Sequence, residues 1–162
     1  MTINTADYHQ NNFRLTLALG DKLNAGDASF APIGFENLYL LVKQFPHPII
    51  SGGAEIEVPM AGGGVYFDQQ PIKTSFQGPV SFLETVAGSI TQFARDVMSG
   101  GGYFDARVYE GTPLRHTRSY LLERCFFQLD APDRDWENRG QVLMLTGTLF
   151  YNYFGNDAPG NI

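Results

Sequence analysis

The spacing of apolar residues changes period twice along the chain. Phe13, Leu15, Leu17 and Leu19 alternate with Arg14, Thr16 and Ala18, a period of two that predicts a first strand after a polar N-terminal arm over residues 1–11. Gly20 to Gly34 is rich in Gly, Asp and Asn and predicts a loop. Leu38–Phe45 predicts a second strand, closed by Pro46 and Pro48. Glu55–Val58 alternates again between the pair Gly52–Gly53 and the run Gly62–Gly64, which predicts a hairpin-like excursion over about residues 46–72. Ile72–Gln77 predicts a further strand.

From Pro79 the period lengthens. Leu83, Val86, Ala87, Ile90, Phe93, Ala94, Val97 and Met98 fall at spacings of three and four, which predicts one amphipathic helix over about 80–98. Pro79 suits its first turn, and Gly100–Gly102 ends it. The period of two then returns in Phe104–Tyr109 and Tyr120–Leu129, with a turn at Gly111–Pro113 and a charged loop at Asp130–Gly140.

The last segment, Gln141–Asn156, is apolar on both parities. Leu143, Leu145, Leu149, Tyr151 and Tyr153 share one, and Val142, Met144, Phe150 and Phe154 share the other with Thr146, Thr148 and Asn152. A strand of this kind needs cover on both sides. The helix at Val80–Met98 is the expected cover for one. The other side either meets a neighbouring copy or lines a lumen, for which Thr146, Thr148 and Asn152 are polar enough. The fold class expected is mainly β: one domain over 1–162, an antiparallel β-sandwich or barrel-like sheet with one flanking helix and one long excursion.

Composition narrows the function. The chain has 162 residues with 43% apolar positions, enough for one core. Acidic residues outnumber basic ones 17 to 11, giving a net charge of −6, which argues against electrostatic gripping of nucleic acid. Cys125 is the single cysteine, so neither an intrachain disulfide nor a cysteine-based zinc cluster is expected. The N-terminal sequence lacks signal-peptide character, and no run reaches the ~18 apolar residues of a membrane span. A soluble protein of cytosol-like compartments is expected.

Chemistry is sparse. The Gly62–Gly64 run lacks the lysine and hydroxyl residue of a phosphate loop, and Gly100–Gly102 follows a helix where an anion site would precede one. Asp130, Asp133, Asp135 and Glu137 lack calcium-loop spacing and are interrupted by Arg134. His9, His47 and His116 have no metal-ligand spacing. Cys125 shares parity with Phe127 and Leu121 and reads as a buried strand residue; the sharper alternative, a thiol nucleophile served by His116, has no orienting partner. Arg115 and Arg118 are candidates to pair with Asp133 and Asp135 of a neighbouring copy, with a solvated face as the alternative. No enzyme, cofactor, metal or ligand site is expected.

The order of these segments resembles the tube protein of contractile-tailed bacteriophages, a family shared with contractile injection machines. The resemblance is carried by NNFRLTLAL, by VKQFPHPIISGGAEIEVPMAGGGVYF, by the helix FLETVAGSITQFARDVM, by YLLERCFFQLDAPDRDWEN and by the terminal LMLTGTLFYNYF. It implies homohexameric rings that stack around a lumen through which DNA passes without specific binding. It implies the sheath, baseplate, tail-terminator and tape-measure proteins as partners, assembly in the bacterial host cytoplasm and a place in the virion tail. It also implies that the arm and the excursion contact the adjacent ring, with Ile49, Ile50, Ile56, Val58, Met60, Val65, Tyr66 and Phe67 as the expected contact residues, and that Met144, Thr146, Thr148 and Phe150 belong to a strand of the shared barrel. A baseplate tube-initiator or tail-terminator ring of the same fold is the alternative. A small-molecule-binding β-barrel is a further one, disfavoured by the two-faced final strand.

Overall fold

In the computed structural model, which describes residues 5–162, the chain is built on one antiparallel sheet. Its strands are β1 (Ser29–Pro32), β2 (Val42–Gln44), β7 (Ser75–Leu83), β8 (Phe104–Gly111), β9 (His116–Leu129), β10 (Met144–Asn152) and β11 (Asp157–Pro159). They run in the order β1-β8-β9-β10-β7-β2, with β11 continuing the β10 edge of β9. A 3-10 helix at Glu36–Leu41 contacts both edge strands, β1 and β2. Two small ladders stand apart from this sheet: β3 (Ser51–Gly52) with β6 (Ile72–Lys73), and β4 (Glu55–Pro59) with β5 (Val65–Gln69). The helices are α1 (Ala6–Ala18) and α2 (Ser89–Ser99).

The core forms between the inner sheet face and α2. Ile90, Phe93 and Val97 of α2 are buried against Phe82, Phe104, Leu122 and Leu149. Phe93 is the hub: its ring lies 4.9 Å from Phe35, 5.5 Å from Phe104 and 5.6 Å from Phe127. On β10, Leu145, Leu149 and Tyr151 face this cluster, so the expected cover by the helix region holds for that parity.

Four expectations are corrected. The helix expected over about 80–98 begins only at Ser89. Residues 80–83 belong to β7, which pairs with β10 through nine consecutive positions, from Met144 opposite Leu83 to Asn152 opposite Ser75. Pro79 therefore lies in a strand, beyond the last β2 pair, where that edge of β7 is open and a missing N–H costs nothing. Glu84 then stops the strand and caps the helix. Its carboxylate accepts from the backbone N–H of Ile90 and Thr91 and from the Thr91 hydroxyl at 3.1, 3.0 and 2.6 Å.

The second correction is at the N-terminus. The expected arm at 1–11 and strand at Phe13–Leu19 are instead the helix α1, so α2 is not the one helix; residues 1–4 of the arm lie outside the described residues. Thr5 caps it by accepting from Tyr8 N–H at 3.3 Å, and none of its residues is buried, so nothing fixed a strand register. Third, Ser29–Pro32, expected as loop, is a fully buried strand on β8. Leu38–Leu41, expected as strand, forms the last four residues of the 3-10 helix.

The fourth concerns β9. Tyr120 and Leu122 point inward, then Cys125, Phe127 and Leu129 do, because a bulge at Arg124 (φ 48°) inserts one residue and reverses the parity. Cys125 is buried as expected, but Leu121 lies on the opposite face from it.

Candidate assembly surface

The excursion stands clear of the main sheet. Its root is fixed by His47, whose Nδ1 lies 3.8 Å from the Glu110 carboxylate and whose ring stands edge-on to Tyr120 at 5.4 Å. Glu110 is buried and also accepts from the Tyr120 hydroxyl at 3.2 Å. Beyond the root, the β4–β5 hairpin turns at residues 60–64. Met60 N–H donates to Gly64 C=O at 2.7 Å, while Gly62 and Gly63 take φ of 89° and 88°, a region that side chains disfavour.

Cross-strand pairing sorts the hairpin into two faces. Ile56, Val58 and Tyr66 share one with Asp68; Glu57, Phe67, Pro59 and Val65 share the other. Val58 is half-buried, whereas Ile49, Ile50, Ile56, Met60, Val65, Tyr66 and Phe67 are exposed, Phe67 by 69%. A free two-stranded hairpin is marginal in water, and apolar residues on both faces make a partner surface worth more here than solvent. The helix α1 is the same case: Phe13, Leu15 and Leu17 are exposed, and an uncovered helix of 13 residues gains little stability by itself.

The face of β10 turned away from the core carries Met144, Thr146, Thr148, Phe150 and Asn152. Across the ladders these meet Leu83, Ser81, Pro79, Gln77 and Ser75 of β7, and Thr148 and Phe150 also meet Gln128 and Phe126 of β9. Asn152 also lies opposite Glu123 of β9, the one charged partner in these outward-facing pairs. Phe126 and Phe150 stack with centroids 4.7 Å apart and planes 8° apart. Tyr103 stands edge-on to Phe126 at 5.9 Å, and the Arg124 guanidinium caps Tyr103 at 4.3 Å. The shared-barrel candidates Met144, Thr146, Thr148 and Phe150 thus lie together on one outward, partly aromatic face, with Thr146 exposed and the other three half-buried.

The charge candidates are separated. Arg115 lies in the turn before β9, where its N–H donates to Thr112 Oγ1 at 3.1 Å, and Arg118 lies three residues on. Asp133 and Asp135 lie in the loop after β9. The 14 residues of β9 place these groups at opposite ends of a strand up to about 45 Å long, so they cannot pair within one chain. Among the described residues, His47–Glu110 is the one approach of a basic side chain to a carboxylate at ion-pair distance.

The same strand separates Cys125 from His116 by nine residues, about 30 Å of extended chain. The Cys125 thiol is fully buried, and burial, with Asp105 nearby, pushes it up to about 12. It is a protonated core residue, not a nucleophile awaiting a base. One residue escaped the sequence reading: Trp136, the only tryptophan, is 94% exposed at the tip of the charged loop. Its signal was visible, since an indole amid charged residues has no core role to play.

No family model matches the chain, and no curated protein matches it in sequence. Solved structures do match in fold. A chain from the PVC sheath–tube complex of an extracellular contractile injection system in the extended state superposes with a TM-score of 0.58 at 11% identity, covering 90% of this chain and 97% of that one. The chain shares the fold of that contractile-injection-system chain. Two further likenesses fall in the same group. The anti-feeding prophage tube-terminating cap gives a TM-score of 0.56 at 11% identity, over 86% of this chain and 92% of that one. The PVC sheath/tube terminator in the extended state gives 0.56 at 10%, over 86% and 99%. Among the described residues, the β4–β5 hairpin and α1 are the elements whose large apolar side chains are most exposed in the single chain.

Proposed function

We propose that this chain is a structural ring subunit of a contractile tail tube. Copies join through their sheets into homohexameric rings, and the rings stack around a lumen through which DNA passes. The β4–β5 hairpin, with Ile56, Tyr66 and Phe67, makes the contact between rings, together with the N-terminal segment. Met144, Thr146, Thr148 and Phe150 lie on the wall strand of the shared barrel. The sheath outside, the tape-measure protein within and the baseplate and terminator at the ends are its partners, and the tail of a virion assembled in a bacterial host is its location.

The observation that carries the reading is the hairpin. It is long, preformed, apolar on both faces and uncovered, on a fold shared with contractile injection systems. A head-to-tail contact of that kind propagates into a filament. A terminator ring is the second reading, favoured by the two terminator likenesses at nearly the same TM-score. Such a protein forms rings that do not polymerise.

Negative-stain microscopy at rising protein concentration separates these outcomes. Stacked tubes are expected; single rings that never stack favour the terminator, and a persistent monomer overturns both. Deleting Gly62–Gly64 is expected to leave a folded subunit that no longer builds long tubes. Normal tubes from that deletion would remove the hairpin from the contact.

A further inference from the structure

The excursion leaves the body through two limbs. The exit limb is tied by backbone: Thr74 C=O accepts from Tyr153 N–H at 2.9 Å, just beyond the two-residue ladder of β3 with β6. The entry limb runs through Pro46, His47 and Pro48. Pro46 fills the space over Gly78, Pro48 is buried, and Ile50 lies over Gly155. Those contacts are apolar and do not change with pH. His47 makes the one contact of this limb that can.

The His47 side chain is 54% exposed, whereas the Glu110 side chain beside it is 5% exposed. Their separation of 3.8 Å is longer than a hydrogen bond and within ion-pair range, so its strength depends on the charge of the imidazole. Glu110 also accepts from the Tyr120 hydroxyl, and Arg118 Nη1 reaches that hydroxyl at 3.5 Å instead of the carboxylate. Among the described residues, no lysine or arginine comes within ion-pair distance of Glu110. The other charged or titratable groups around the pair are Tyr153 and Asp157, which bond to each other at 2.5 Å, and Asp27 and Arg115, which line one groove with Glu110. Asp, Arg and Tyr ordinarily keep their charge between pH 5.5 and 8, and burial pushes both Tyr120 and Tyr153 up, further from that window. Histidine ordinarily changes its charge inside it.

We propose that His47 and Glu110 form a proton-operated latch at the root of the excursion. With the imidazole protonated, the entry limb is pinned to β8; with it neutral, the limb is held by its apolar contacts alone. The sign follows from the charge. Pinning beside a carboxylate favours the protonated imidazole, so the pinned state gains stability at acid pH and loses it as pH rises through the histidine range. The latch sets how firmly the β4–β5 hairpin is aimed. Its consequence for stacking rests on the ring-and-stack reading; the latch itself belongs to the single chain.

Hydrogen exchange of the dilute full chain, followed by mass spectrometry and corrected at each pH for exchange of unstructured peptide, reads the latch without assembly. Segments 46–53 and 71–76 are expected to exchange about threefold faster at pH 8 than at pH 5.5. His47→Gln, at an exposed position, is expected to abolish that difference, and His47→Lys, charged at both pH values, to keep the limb protected throughout. His9→Gln and His116→Gln remove the two other histidines and are expected to leave the difference in place. Equal corrected exchange of the wild type at the two pH values, or an undiminished difference in His47→Gln, overturns the latch and leaves the ring reading standing. In microscopy, tubes are expected at lower protein concentration at pH 5.5 than at pH 8, by a larger factor for wild type than for His47→Gln. The variant is the reference because acidification also shrinks the net charge of −6, which favours association by itself. A chain that shows the exchange difference but never forms rings keeps the latch and loses the ring reading.

Discussion

The body of the sheet and the β4–β5 hairpin are built from similar residues and stabilised in opposite ways. On the body, β10 pairs on both edges, its inner side chains are sealed against β9, β7 and the α2 cluster, and Leu149 is fully buried. On the hairpin, β4 pairs on one edge only, and Ile56, Tyr66 and Phe67 are exposed. The aromatic content is comparable, so composition does not explain the difference. Topology does: the body strands have several neighbours within the chain, and among the described residues β4 and β5 pair only with each other. The body carries the free energy of folding, and the hairpin carries unspent apolar surface that association can bury.

That contrast can be broken by substitution. The largest effect belongs to Phe93→Ala, which empties the space among Phe35, Phe104 and Phe127; a loss of about 3–5 kcal/mol is expected in urea unfolding. A loss under about 1 kcal/mol would mean that α2 is peripheral to the core.

A smaller effect is expected at the strand-to-helix junction. Glu84→Ala removes the cap of α2 and is expected to cost about 1 kcal/mol near neutral pH. Burial acts to raise the Glu84 carboxyl, but the Thr91 hydroxyl and the N–H groups of Thr85, Ile90 and Thr91 outweigh it and hold it below its ordinary 4.5. The folded state thus favours the ionised form. The stabilisation is present above about pH 4.5 and is lost as pH falls through the lowered value. Wild type and Glu84→Ala should therefore converge in stability on acidification; curves that stay parallel would count against the cap.

Cys125 tests the seal of the core without altering stability. Its thiol should resist alkylation in the folded subunit at pH 8 and react once urea unfolds it, because it is buried and pushed up to about 12. Rapid labelling of the native protein would show the inner face to be open. The smallest effect on the subunit belongs to the hairpin: Phe67→Ala should change unfolding by no more than about 0.5 kcal/mol while weakening stacking seen by microscopy. A large loss of subunit stability would show that the hairpin packs on its own body after all.

Much of this was legible before any coordinates. The glycine run at 62–64 specified the hairpin turn because it supplies positive φ twice. Gly100 ended α2, and the alternation of Phe104, Ala106 and Val108 pointed at the core. The exposed residues of the candidate contact were readable for the same local reason: a strand pair bounded by glycines and too short to bury itself.

Other features depended on partners distant in sequence. Residues 80–83 carry a helical spacing, yet β10 offers nine ladder positions to residues 75–83, and tertiary pairing outweighs propensity. Ser29–Pro32 is too short for any period to show, and only its ladder with β8 makes it a strand. Phe13–Leu19 alternates like a strand but has no edge to pair with among the described residues, so its backbone bonds close locally as a helix. The bulge at Arg124 reversed the faces of β9 because two ladders of different register meet there. The sequence by itself determined the turns, the end of α2 and the mainly β class, since these follow from single residues and short periods. Tertiary structure alone decided which segments paired and which face of each strand went inside, because those depend on where distant strands come to lie.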